Sequence, residues 1–163
     1  PTDQTVTLYG RIVAQARQPV FYQDLGVPDT PEGRFDLLAL HAFLVMDGLS
    51  AEHPKEAQSL FDLMFDDMEV NLRELGASDI RIGARVKKLA QDFFGRSQAY
   101  RNALKDNDKQ ALRAVLDRNL FAKAQVSADQ LTLLADYVIA HWGRAETRMG
   151  HFVLPSLPQE TSQ

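Results

Sequence analysis

Four histidines, His41, His53, His141 and His151, are the first side chains in this sequence to question for chemistry. Imidazoles on helices hold a metal when a carboxylate or a second His lies one turn away. Here no Asp or Glu stands three residues before any of the four, and no two share a turn. The spacing reads as packed, hydrogen-bonded imidazoles at His41 and His141, so no metal site is expected. A haem pocket with His41 or His141 as axial ligand stays open as the alternative for a helical chain. The carboxylates Asp62, Asp66, Asp67 and Glu69 crowd one stretch without the Asp-rich, Gly-containing loop that cradles calcium. They read as a solvated helix face. Cys is absent, which removes a thiol nucleophile, a disulfide scaffold and Cys-ligated zinc or iron–sulfur sites. No phosphate-cradling Gly loop, zinc-protease helix or nucleophile elbow occurs. With no nucleophile–base pair in sight, the chain is not expected to be an enzyme.

Charge narrows the partners. Lys and Arg number 18 and Asp and Glu 22, a net charge of -4. Such a chain is a poor general nucleic-acid binder, and no DNA contact is expected. Arg81, Arg85 and Lys88 form a basic stripe at i, i+4 and i+7. It could meet RNA or lipid headgroups, or pair with the acidic stripe of the preceding helix; the net charge favours pairing. Two Gly-Arg pairs, Gly33-Arg34 and Gly95-Arg96, interrupt helical stretches, where Gly costs about 1 kcal/mol against Ala. Either another element packs close at these points or a partner segment does, and the residues alone leave both open.

The elements that must position these residues are helical almost throughout. Val6, Tyr9, Ile12, Val13 and Ala16 follow the helical period, which predicts a first helix over about 4–17. Pro19 ends it, and Phe21, Tyr22 and Leu25 form a short aromatic turn closed by Gly26 and Pro28. Thr30-Pro31 is an N-cap followed by Pro in the first turn, and starts a second helix reaching about Leu49. Phe35, Leu38, Ala42, Val45 and Leu49 make one apolar stripe of it, and Leu37, Leu40, His41 and Leu44 another. A helix apolar on most sides is central. A third helix runs from Pro54 to a C′ glycine at Gly76, with Leu60, Met64, Phe65 and Met68 inward. Ser78 caps a fourth, with Ile82, Val86, Leu89 and Phe93 inward. Asn107 starts a fifth, and Ser127 with Gln130 makes a capping box for a sixth. Pro155 and Pro158 predict an extended tail over 150–163. The longest apolar run, Leu37 to Met46, is broken by His41 and falls short of the roughly 18 residues of a membrane span. The first residues, Pro1-Thr2-Asp3-Gln4, show no secretory signal. The reading is all-α: a single-domain bundle over 1–163 of about six main helices with short connecting loops.

A further set of residues occurs in order. It comprises Phe21-Tyr22, Val27-Pro28-Asp29-Thr30, Gly33-Arg34-Phe35-Asp36, Leu40-His41, Phe65-Asp66-Asp67-Met68, Leu72-Arg73-Glu74-Leu75-Gly76, and Phe94-Gly95-Arg96 with Tyr100. Each piece is weak alone, but the ordered set is specific. It resembles the ubiquinol–cytochrome c chaperone family over about residues 8–120. The resemblance implies a non-enzymatic, ATP-independent assembly factor that binds newly made cytochrome b for respiratory complex III. It implies no cofactor. The acidic chain without a visible presequence looks like the bacterial, alphaproteobacterial branch, where the mitochondrial partner protein need not be present. The expected place is the cytoplasm, peripheral to the inner membrane through the client; a ribosome contact and the oligomeric state stay open.

Carried onto this chain, the resemblance gives Tyr22, Asp29, Arg34, Asp36, His41, Arg73, Arg96 and Tyr100 as client-binding residues. Two departures stand out. Met46-Asp47-Gly48 replaces the Arg residues that often follow the Leu-His helix, which weakens an RNA or ribosome contact there. Gly76-Ala77-Ser78-Asp79 replaces a Gly-Val-Gly-Asp turn. A holder of apolar helices should offer an apolar groove with a few polar anchors. Phe21, Tyr22, Phe94 and Tyr100 are candidate lining, with Arg34, Arg96 and Tyr100 at the rim. Met64 and Met68 read as core. Segment 18–30 and the tail are candidate gates.

Overall fold

The structure, a computed structural model, describes residues 1–76, 78–121 and 124–158. Six helices of twelve residues or more carry it. These are α1 (Asp3–Ala16), α3 (Pro31–Ser50), α4 (Pro54–Glu74), α5 (Asp79–Lys105), α6 (Lys109–Leu120) and α7 (Ala128–His141). Two short helices, α2 (Pro19–Gln23) and α8 (Ala145–Arg148), fill the corners. Among the described residues there is no strand.

The starts and stops follow local chemistry. The Thr30 hydroxyl accepts from the Gly33 N–H and Pro31 occupies the first turn of α3. Ser127 and Gln130 form the reciprocal capping box of α7. Gly76 closes α4 with φ +84°, a conformation open to Gly at no steric cost. Three local readings need correction. The aromatic turn is the helix α2, because Pro19 opens a helix there rather than only ending one. The cap of α6 is Asp108, whose carboxylate accepts from the Ala111 N–H, while Asn107 before it takes φ +52°. Ser78 stands at the N-cap of α5 but makes no capping bond. The tail has neither helix nor strand over 151–158; its last five residues lie outside the described ones.

Helix α3 is central, as its two stripes require. One core cluster packs Leu37, Leu40 and Leu44 of α3 with Phe21, Leu25, Tyr100, Leu116, Leu134 and Val138. The other packs Ala42, Val45 and Leu49 with Ile12, Leu60, Met64, Phe65 and Phe93. A hydrogen-bond ring ties α1, α3, α7 and the tail together. Gln15 donates to the Tyr137 hydroxyl (3.0 Å) and to the Val153 carbonyl (3.0 Å). Tyr137 donates to His41 Nε2 (2.8 Å), and His41 Nδ1 donates to the Leu37 carbonyl. His141 Nδ1 donates to the Tyr137 carbonyl, and its Nε2 accepts from the Val153 N–H. Since each Nδ1 faces a carbonyl and each Nε2 accepts, both imidazoles are neutral. Burial holds both pKa values down, to about 4 for His41.

Asp47 is a second tie. Its carboxylate accepts from Arg101 Nε (2.7 Å) and Trp142 Nε1 (2.9 Å), joining α3 to α5 and to the end of α7. An Arg here would meet Arg101 instead of balancing it. No helix among the described residues is long and apolar enough to cross a membrane.

Candidate functional site

A cleft of about 620 Å³ opens between α1, α2, the first turns of α3 and the second half of α4. Its floor is apolar: Val13, Ala16, Phe35, Leu38 and Met68. Its rim is polar, with Tyr9, Arg17, Tyr22, Asp29, Arg34, Asp67 and Asn71. The rim is already organised. Tyr9 donates to Asp67 Oδ2 (2.8 Å), across 58 positions of sequence. Tyr22 donates to the Ala16 carbonyl (3.1 Å), which fixes α2 against the end of α1. Arg34 Nε donates to Asp29 Oδ1 (2.8 Å), and both side chains stay more than half exposed. Burial pushes the Tyr9 hydroxyl pKa up, and the Asp67 carboxylate adds to it. Tyr22 shifts the same way, by burial first and then Asp29, against Arg34 and Arg17. Both phenols stay protonated and serve as donors, not bases.

Gly33 explains how the rim is built. A Cβ there would lie 1.9 Å from the Pro28 carbonyl oxygen. The close approach is therefore the protein's own loop, and it sets Asp29 beside Arg34. Gly95 has nothing within 4 Å of its Cβ position, so close packing does not explain it.

The eight residues read from the sequence separate into four places. Tyr22, Asp29 and Arg34 meet at the cleft rim. Asp36 and Arg96 pair with each other behind it, half-buried. The Arg96 guanidinium also lies over the Phe35 ring, 5.7 Å from its centroid, so it braces the floor from below. Burial raises the Asp36 pKa and Arg96 opposes the rise. His41 and Tyr100 are core residues, 0% and 1% exposed, with no surface to present. Burial pushes the Tyr100 hydroxyl up to about 12. Arg73 is exposed at the end of α4, paired with Glu69 (2.9 Å) and Asp79 (2.7 Å), and does not line the cleft.

The aromatic lining is corrected in the same way. Phe21 and Tyr100 are buried, and Phe94 lies 60% exposed on α5, stacked on Phe61. Met64 is core, while Met68 reaches the cleft. The residues that periodicity could not mark were Tyr9 and Asp67. Tyr9 read as an inner face and Asp67 as a solvated one; each is both, because the cleft edge runs between them.

A second cleft of about 580 Å³ lies between α1, the end of α3, the start of α4 and α8, lined by Arg11, Leu49, His53, Glu56 and Arg148. Arg11 there donates to the Met149 carbonyl (2.9 Å) and Arg148 faces Glu52 at 3.6 Å. The haem alternative meets a physical obstacle. Both nitrogens of His41 and of His141 are occupied by hydrogen bonds, and neither ring lines either cleft. Among the described residues no three His, Asp or Glu side chains gather as a metal would need.

An open cleft in an all-α fold, apolar below and polar at its edge, has the chemistry that suits an amphipathic segment. The chain belongs to the ubiquinol–cytochrome C chaperone family, whose model matches residues 23–149. It is similar to the Cbp3 homolog from Brucella abortus, a crystal structure, with 41% sequence identity and a TM-score of 0.75. That match covers 83% of this chain and 76% of the other. No curated protein matches the chain.

Proposed function

We propose that the protein is a non-enzymatic, ATP-independent assembly chaperone that holds newly made cytochrome b during biogenesis of respiratory complex III. The observation that carries this reading is the cleft itself, open to solvent, with Phe35, Leu38 and Met68 below and Arg34, Asp29 and Tyr22 at the edge. Cytochrome b is a bundle of apolar helices, and such a client needs an apolar surface that shields it without trapping it. Met68 adapts to varied side chains, and the charged rim restricts the register. The family match supports the chaperone class. In this reading the protein works at the cytoplasmic face of the inner membrane.

The test is photo-crosslinking from the cleft edge. A crosslinking residue replaces Asn71, which is exposed and lines the cleft, in a tagged full-length chain. Tyr100 is unsuitable because it is buried. Expressed in a bacterium that builds complex III, the probe should capture cytochrome b as the dominant product by mass spectrometry. Arg34→Ala should reduce that product severalfold. A ribosomal protein as the main product, or no client while the chain stays folded, overturns the reading.

A further inference from the structure

The hairpin joining α4 to α5 carries a surface that the cleft does not use. Helix α5 is 27 residues, about 40 Å of helix, and over 79–92 only Ile82 is buried. At the hairpin end Leu75 is 83% and Ile80 88% exposed. Two large aliphatic side chains this exposed on either side of one turn are a cost in water unless something covers them. Behind the apolar end stand Arg81, Arg85, Lys87 and Lys88, all exposed. The sequence favours pairing of Arg81, Arg85 and Lys88 with the acidic stripe of α4, but the structure contradicts this. Among the described residues, none of the four forms an ion pair. Carboxylates of the acidic stripe are instead turned elsewhere: Glu69 serves Arg73, which also pairs with Asp79 of α5, and Asp62 accepts from Gln58. Residues 70–88 hold five cations against Glu74 and Asp79, in a chain of net charge -4.

We infer that this hairpin end docks on an anionic lipid surface, with Leu75 and Ile80 entering the headgroup boundary and the α5 cations facing lipid phosphates. Charge and shape select this occupant. Aliphatic side chains at a tip, followed by a basic helix face, match an interface that is apolar within and anionic outside. A second copy of the chain would bring like charge against like charge. Single-stranded RNA would want aromatic rings to stack on, and the residues at the tip are aliphatic. The inference does not depend on which client the cleft takes.

The test uses the full chain and vesicles alone. Cosedimentation compares phosphatidylcholine vesicles with vesicles containing phosphatidylglycerol. Binding should appear with phosphatidylglycerol, be weak without it, and fall as salt is raised. Leu75→Ser with Ile80→Ser should cut the partition at least tenfold. Arg81→Gln, Arg85→Gln and Lys88→Gln together should cut it further, about fivefold per charge removed. These side chains are exposed, so circular dichroism and crosslinking from Asn71 should be unchanged. Equal binding to both vesicle types, or no loss in either variant, overturns the inference. So does an RNA oligonucleotide bound more tightly than the anionic vesicles through the same cations, or self-association abolished by the two serines.

Discussion

At Gly33 the Pro28 carbonyl leaves no room for a methyl group, so Gly33→Ala must move the loop or the first turn of α3. Either shift breaks the Thr30 cap and separates Asp29 from Arg34. The expected loss is about 2–3 kcal/mol by urea unfolding. Gly95→Ala is the opposite case, an exposed mid-helix site with free space, and should gain about 0.5–1 kcal/mol. A fall in stability at Gly95 would mean that something uses that opening. Arg34 and Arg96 differ in the same instructive way. Arg34→Ala removes an exposed rim charge and should weaken client capture with the fold intact. Arg96→Ala strands the Asp36 carboxylate, whose side chain is only 14% exposed, and should cost about 2 kcal/mol besides weakening capture. Paired unfolding curves and pull-downs separate the two. The sequence presents two identical Gly-Arg pairs, and their roles could not be told apart there. The deciding neighbours are Pro28, five positions before Gly33, and Asp36, sixty positions from Arg96.

Elements are joined by the ring through Gln15, His41, Tyr137, His141 and Val153, and that ring titrates. Both imidazoles are held neutral, with pKa values lowered by burial. The unfolded chain therefore binds protons below pH ~6.5 that the native state refuses. Stability is complete above that point and falls as pH drops, until the folded pKa of about 4 for His41 is reached. Between pH 7 and pH 5 His41 alone should account for about 2 kcal/mol. Protonating His141 also removes its acceptor nitrogen from the Val153 N–H, so the tail should loosen first. Hydrogen exchange at Val153 against pH reads this directly; protection unchanged from pH 7 to pH 5 refutes it. Helix periods, the caps at Thr30 and Ser127 and the central rank of α3 are legible, because each depends on residues a turn apart. The ring was not. His41 and His141 could be marked as packed imidazoles, but their shared partner Tyr137 lies 96 positions from His41.

At the scale of the whole molecule, size limits what the cleft can do. A space of about 620 Å³ suits a ligand or one face of a helix, not a multi-helix client. Its rim mixes Arg17 and Arg34 with Asp29 and Asp67, so no single sign of charge would draw in every apolar segment alike. With cytochrome b as the proposed client, the cleft should recognise one contiguous stretch of it, leaving the others to the bilayer. A set of overlapping client peptides tests this by competition against crosslinking from Asn71. One stretch, with apolar residues at i, i+3 or i+4 and i+7 and a charge at one flank, should compete. Met68→Glu, which places a carboxylate on the cleft floor at a half-buried position, should abolish that competition with little change in unfolding. If several non-overlapping peptides compete equally, the cleft reads hydrophobicity alone. The rim chemistry of Arg34 and Asp29 would then have no part in selection.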